Sequence, residues 1–253
     1  MDLGLGSRGY LLTGASRGLG FATARALVDD GARVLLSSRS ATSVAKAAAE
    51  HGGEPSAYGT VADLADADAV PRLVAEARER LGRLDGALIS VGGPEPGGLF
   101  DTTPEQWRSA YDSVVLGPVW LVRALVPHLE AGAAIGFVLS TSVREPLAGL
   151  AISNALRPGL AMTVKSFADE LGPRGIRVFG LMPGSIATDR MARLLESSGD
   201  PETASSAVNQ DIPLRRMGQP EEFGRVAAFV LSPAASYVSG SMIAVDGGRL
   251  RTP

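Results

Sequence analysis

The sequence predicts an α/β protein: one doubly wound parallel sheet, a Rossmann fold in a single domain over residues 1–253. Three observations carry that expectation. Short apolar runs alternate with longer helical patterns from one end of the chain to the other, as strand–helix–strand units require. The strand candidates are apolar on consecutive residues, as in Ala87-Leu88-Ile89 and Ile135-Gly136-Phe137-Val138-Leu139. Such runs suit strands covered by helices on both faces, whereas half-exposed strands alternate. Finally, 253 residues fill one large core but not two comfortable domains, and no Pro/Ser-rich stretch or charge run marks a linker.

Taken in order, residues 10–13 read as the first strand and 19–28 as a helix closed by Asp30-Gly31. Residues 33–37 form the second strand, and 43–50 an Ala-rich helix ended by Gly52-Gly53. A third strand is expected near 56–61, followed by a helix over 66–81. Residues 86–90, 133–140, 176–181 and 242–245 complete the strands, with long helical patterns over 104–129 and 158–171. Right-handed crossovers between parallel strands then give the doubly wound arrangement.

Composition narrows the function. Net charge is −3 with both signs dispersed, which argues against a nucleic-acid binder. The chain has no cysteine, which removes disulfides, thiol nucleophiles and Cys-ligated zinc and is compatible with a reducing cytoplasm. No metal-ligand cluster is visible, and no run approaches the roughly 18 apolar residues of a membrane span. A soluble cytoplasmic protein without a membrane partner is the expectation. His51, in a loop after a helix, and His128, at a helix end, are expected at the surface.

The first strand runs into Thr13-Gly14-Ala15-Ser16-Arg17-Gly18-Leu19-Gly20 and then a helix. Glycines there let the backbone approach a diphosphate, whose charge meets the helix N-terminus; an ordinary tight turn is the alternative. At the end of the second strand stand Ser38-Arg39, with no carboxylate to accept from a ribose 2′-hydroxyl. A hydroxyl and a guanidinium instead suit a 2′-phosphate, and Arg17 adds a second cation; together they favour NADP(H) over NAD(H).

This octapeptide resembles the fingerprint of the short-chain dehydrogenase/reductase family, and the resemblance covers essentially the whole chain. Asp63-Leu64 match the family's adenine-contacting position, Gly92 its glycine after the fourth strand, and Pro183, Gly184, Ile186 and Thr188 its nicotinamide-cradling loop. Residues 213–222 and 245–248 match its C-terminal signatures. The resemblance implies a catalytic Ser, Tyr and Lys; aligned from Glu170-Leu171 and Gly175-Ile176-Arg177-Val178, these fall on Ser140, Ser153 and Arg157. The family's proton-relay Asn falls on Val114, and its Asn-Asn-Ala-Gly on Ile89-Ser90-Val91-Gly92. Of the four usual catalytic residues only Ser140 remains. Arg157 is still expected to hydrogen-bond the nicotinamide ribose, but it stays charged and cannot shuttle a proton.

Pro158 is expected to kink the helix, or to sit in the first turn of one starting near Ala155, so that Ser153 and Arg157 need not share a face. Ser142 is a possible helper of Ser140. Tyr111 suits core packing or an oligomer contact better than the cleft, and Trp107 and Trp120 are expected to pack there too. Residues 189–219, with Met191, Leu194 and Leu195 at helical spacing, are expected to form a substrate lid. The expected function is an NADP(H)-dependent oxidoreductase acting on a carbonyl or alcohol of a small-molecule substrate by an altered proton route, as a homotetramer or homodimer. The alternatives are a non-redox enzyme (cyclase, dehydratase or isomerase) on the same scaffold and a catalytically inactive NADP(H)-binding protein.

Overall fold

The computed structural model describes residues 2–196 and 199–252. Seven parallel strands lie in the order β3-β2-β1-β4-β5-β6-β7. They are β1 (Gly9–Thr13), β2 (Arg33–Ser38), β3 (Ala57–Val61), β4 (Gly86–Ile89), β5 (Ala134–Val138), β6 (Arg177–Pro183) and β7 (Met242–Val245). Between them run α1 (Gly18–Asp29), α2 (Ala41–Glu50), α3 (Ala69–Leu81), α4 (Pro104–Tyr111), α5 (Gly117–Leu125), α6 (Ala151–Leu171), α7 (Asp189–Glu196), α8 (Pro201–Asp211) and α9 (Pro220–Leu231). Every strand read from the sequence forms, within a residue or two of its expected bounds.

Consecutive apolar residues in a strand serve two cores. On β1, Leu11 joins Val70, Leu73, Leu121 and Val164 on one face of the sheet. Its neighbours Tyr10 and Leu12 join Ala24, Leu27, Phe223 and Ala227 on the other. On β6 the same alternation sends Val178 to the first core and Phe179 and Leu181 to the second. This period of two explains why no half-exposed alternation was visible: both faces are buried. Gly224 on α9 lets that helix press onto α1, where a Cβ would stand only 2.5 Å from the Ala22 carbonyl.

Two polar knots fasten the ends of the strands. Asp85 is buried beneath Arg8 and Arg83 and accepts the Gly9 N–H at 2.9 Å. Buried Arg177 donates to the carbonyls of Val230, Leu231, Ser232 and Val238, capping the C-terminus of α9 with a cation.

The helical run Pro104–His128 contains a π turn at Asp112–Leu116 between α4 and α5. By length and mean hydropathy (1.2) it qualifies as a membrane span, yet Val114, Leu121, Val122 and Leu125 pack it into the core.

Two expectations need correction. α6 begins at Ala151, with Pro158 in its interior, so Ser153 and Arg157 do lie on one buried face. An interior proline costs a helix roughly 3 kcal/mol, and the turns before Pro158 are buried at Ala151, Ile152, Ser153 and Arg157. His51 is not at the surface: it is 2% exposed, its ring 4.2 Å from that of Phe21 on α1. His128 is exposed, as expected.

Candidate active site and cofactor groove

The chain's winding reverses between β1 and β4, and beyond their C-terminal ends opens a groove of about 770 Å³. Gly14, Ser16, Arg17, Ser38, Arg39, Asp63, Leu64 and Gly92 all line it. The sequence reading missed Ser40, Ser43, Glu105, Gln106, Ser109 and Ser113, which line it too. The serine-rich run after β2 was the available signal for the first two.

The glycine loop is held for close approach. Gly14 and Gly18 take φ of +58° and +60°, and a Cβ on Gly14 would stand 2.6 Å from the Ser90 carbonyl. A Cβ on Gly20 would press on the Ala15 Cα at 2.8 Å. Thr13 Oγ1 donates to the Ser90 carbonyl at 2.7 Å and accepts the Ser90 N–H at 2.9 Å, tying β1 to β4 beneath the loop. Arg17 precedes α1 without a capping bond, so the helix's first N–H groups face the groove. At the other end Arg39 is exposed and unpaired among the described residues, while Ser38 Oγ sits in a turn with Ser40. These residues fit a dinucleotide: bare backbone and a helix N-terminus suit the diphosphate, and hydroxyls and cations line the far end.

Ser140, Ser153, Arg157 and the loop from Pro183 to Thr188 lie outside that half of the groove. Gly184 packs against Asp246, Ile186 bridges to Gly218, and Thr188 lies over Gly18, its Cγ2 3.6 Å from where a Cβ would be. The Pro183–Thr188 loop therefore crosses beside the glycine loop.

Ser140 stands half-buried two residues beyond β5, and its Oγ accepts the Ser142 N–H at 3.1 Å, which leaves its own proton free to donate. Ser142 is buried with its hydroxyl unpartnered. Ser153 is 7% exposed, one turn before Arg157 on α6. Arg157, 5% exposed, donates from Nη1 to the Val138 carbonyl at 2.7 Å and has no ion pair among the described residues. Burial, and secondarily the charge of Arg190, push its pKa down to about 10, so it stays a cation at neutral pH. Val114, in the π turn, is wholly buried in the core and offers no relay.

Asn154 organises the approach to these groups. Its side chain both accepts from and donates to the Leu147 backbone, at 3.0 and 2.8 Å. The loop after β4 joins in, with Gly97 N–H on Gly149 and Ala151 N–H on Gly97. Arg190 of α7 was also missed: its Nη2 donates to the Pro94 carbonyl at 3.4 Å, and its guanidinium fills the space a Cβ on Gly93 would need. Only a long-range contact reveals it. Tyr111, 46% exposed, is neither in the core nor lining the groove. Trp107 is partly buried and donates to Thr102, and Arg123 lies over the Trp120 ring.

Comparison with known proteins agrees with this geometry. A family model described as enoyl-(acyl carrier protein) reductase matches residues 14–249. Human dehydrogenase/reductase SDR family member 4 is 35% identical over 249 residues, covering 96% of this chain and 88% of that protein. The L-sorbose reductase of Gluconobacter frateurii, solved with NADPH and L-sorbose, superposes with a TM-score of 0.93 at 27% identity over 100% of both chains. A short-chain oxidoreductase of Pseudomonas aeruginosa, described as containing an atypical catalytic centre, does so with a TM-score of 0.91 at 28% identity, again over both whole chains. With its whole length matched and its groove in the expected place, this chain belongs to the short-chain dehydrogenase/reductase family.

Proposed function

We propose that the protein is an NADP(H)-dependent oxidoreductase that interconverts a carbonyl and an alcohol without the tyrosine–lysine proton route. The observation that carries this reading is the groove itself: an intact glycine loop whose far wall bears Ser38 and Arg39, faced by Arg17, with no carboxylate at the end of β2. The L-sorbose reductase solved with NADPH supports the same choice of nucleotide.

In this reading Gly14, Gly18, Leu19 and Gly20 hold the diphosphate, Asp63 and Leu64 the adenine, and Gly92 the ribose side. Pro183, Gly184, Ile186 and Thr188 hold the carboxamide. The nicotinamide supplies or accepts the hydride. Ser140 donates a hydrogen bond to the substrate oxygen, Arg157 supplies positive potential beneath it, and Ser153 offers a second hydroxyl. Ordered positioning alone carries much of hydride transfer. Residues 189–219, of which 197 and 198 lie outside the described residues, act as the lid. α7 and α8 place no side chain in the core, which suits that role. We expect a homotetramer or homodimer, with a small-molecule substrate and no nucleic-acid partner.

Titration with NADPH and NADH at one salt concentration tests the reading. Micromolar NADPH binding with NADH much weaker is expected; no binding of either nucleotide would sink it. The replaced Tyr and Lys favour a second reading, a non-redox enzyme or a silent NADP(H) binder. Deuteride transfer from labelled NADPH to product separates the two.

A further inference from the structure

One side chain crosses between the two walls of the cleft. The groove is lined by the glycine loop and by the loop after β4 as far as Glu95, and its lining stops short of residues 183–188. Arg190, the second residue of α7, starts on one wall and ends on the other. Its helix follows Thr188, whose Cγ2 lies 3.6 Å from where a Cβ on Gly18 would stand, so its backbone sets out beside the glycine loop. Its guanidinium lies against Gly93, filling the space a Cβ there would take, and Nη2 donates to the Pro94 carbonyl at 3.4 Å. Gly93 and Pro94 both line the groove. Glu95, next along that loop, adds an opposite charge that favours the guanidinium staying there. The arginine is partly buried, while α7 as a whole has no buried residue, so a tie of this kind weighs in how firmly the helix sits.

A dinucleotide that stretches from Arg39 to residues 183–188 has to pass this crossing. We propose that Arg190 is a clasp: it fastens α7 to the loop after β4, opens to let the dinucleotide in, and closes behind it. Arg190 is thus a positioning residue that acts on the cofactor through the loop it grips. This rests on the cofactor reading above and adds how the nucleotide enters and leaves. A clasp shut both before and after binding sets rates more than equilibrium, because the same contacts break and re-form on either side of the passage. Gly93 is the other half of the device. Any side chain there displaces the guanidinium, yet its backbone lies outside the left-handed region and accepts alanine.

The test uses the full chain as wild type, Arg190→Gln and Gly93→Ala. Arg190→Gln removes the cation, whereas Gly93→Ala keeps it and denies it its seat. Stopped-flow mixing with NADPH gives association and release rates, and adenosine 2′,5′-bisphosphate serves as a ligand confined to the nucleotide half. Hydrogen exchange over residues 189–196 is followed without nucleotide. Both variants are expected to exchange about 5- to 10-fold faster over α7, the range of one such hydrogen bond. Both should speed NADPH association and release by about 3- to 10-fold each, so that affinity moves less than about threefold. The bisphosphate should bind Arg190→Gln within about twofold of wild type, as a site distant from the clasp would. Three results would overturn the proposal. One is α7 exchange unchanged in both variants, and another is NADPH release unchanged in both. The third is faster release in Arg190→Gln alone, with affinity weakened to match, which would make the guanidinium a direct phosphate ligand. Failure of wild type to bind NADPH would instead defeat the cofactor reading and the passage of nucleotide with it, whereas exchange over α7 would still decide whether the clasp exists.

Discussion

Two buried arginines in this fold should respond to the same substitution with opposite signs. Arg177 is satisfied by four carbonyls at the end of α9, whereas Arg157 donates to Val138 alone and faces the charge of Arg190. Depression of the Arg157 pKa from 12.5 to about 10 corresponds to a charging penalty of about 3 kcal/mol in the folded state. Replacement by methionine removes that penalty and forfeits one charged hydrogen bond, itself about 1.5–3 kcal/mol. Arg157→Met is therefore expected to stabilise the nucleotide-free protein by about 1 kcal/mol, a rise in Tm of about 2–4 °C for a chain of this size. Arg177→Met leaves four carbonyls unpaired and should cost about 3–5 kcal/mol, lowering Tm by on the order of 10 °C. Because Arg157 is protonated throughout the neutral range in both folded and unfolded states, its effect should be equal at pH 6 and pH 8. Thermal melts of the two variants decide the matter. A drop in Tm for Arg157→Met as large as that for Arg177→Met would refute the view that Arg157 is a strained cation kept for function. The functional counterpart is weaker NADPH binding by Arg157→Met, about tenfold.

Other consequences can be checked directly. Gly14→Ala forces a Cβ to within 2.6 Å of the Ser90 carbonyl at φ +58°, so NADPH affinity should fall more than about tenfold, read by fluorescence titration. Arg39→Asp should weaken NADPH about 10- to 100-fold while leaving NADH unchanged or improved; equal loss for both nucleotides would contradict a 2′-phosphate contact. His51 is held neutral by burial and by nearby Arg25, its folded pKa lowered to about 4 against 6.5 unfolded. The unfolded state therefore takes up a proton first: stability should be flat above pH 6.5 and decline between pH 6.5 and 4. The loss is about 1–3 kcal/mol once solvent near the ring edge is allowed for, and His51→Leu should flatten the chemical-denaturation profile.

The sheet was legible because burial on both faces writes itself as unbroken apolar runs, and the glycine loop because a first strand turning into a helix through three glycines has few other uses. The place of Ser38 and Arg39 was legible for a related reason: topology fixes the end of β2, and both line the groove there. What sequence could not supply came from contacts between distant segments. Pro158 read locally as a break, yet tertiary burial of the turn before it carries α6 through to Ala151. His51 follows a helix as a surface residue would, but α1 lays Phe21 over it. Arg190 looked like one more charge on a polar helix until Gly93 and Pro94 were seen to receive it.

The replaced proton donor leads to one further expectation. Across pH 6–9 the site offers Ser140, Ser153 and the Arg157 guanidinium, while the titratable side chains lining the neighbouring cofactor groove, among the described residues, are the carboxylates Asp63, Glu95 and Glu105 and the guanidinium groups of Arg17 and Arg39. Serine hydroxyls do not titrate in that range, and Arg157, with a pKa of about 10, stays charged. The site can therefore hydrogen-bond and electrostatically stabilise a developing alkoxide but cannot protonate it through a tuned acid; water must do so afterwards. If hydride transfer comes first and limits the rate, single-turnover oxidation of NADPH at saturating substrate should vary less than about threefold between pH 6 and 9, and Ser140→Ala should slow it about 10²- to 10³-fold at every pH. A tenfold fall per pH unit would mean that a proton is in flight in the limiting step. A sigmoid centred near 7 would mean that a titrating group stands where the structure shows none. Either result would refute purely electrostatic stabilisation at this site. A flat profile would instead show that a member of this family can dispense with its acid by keeping a buried cation, Arg157, near the reacting oxygen.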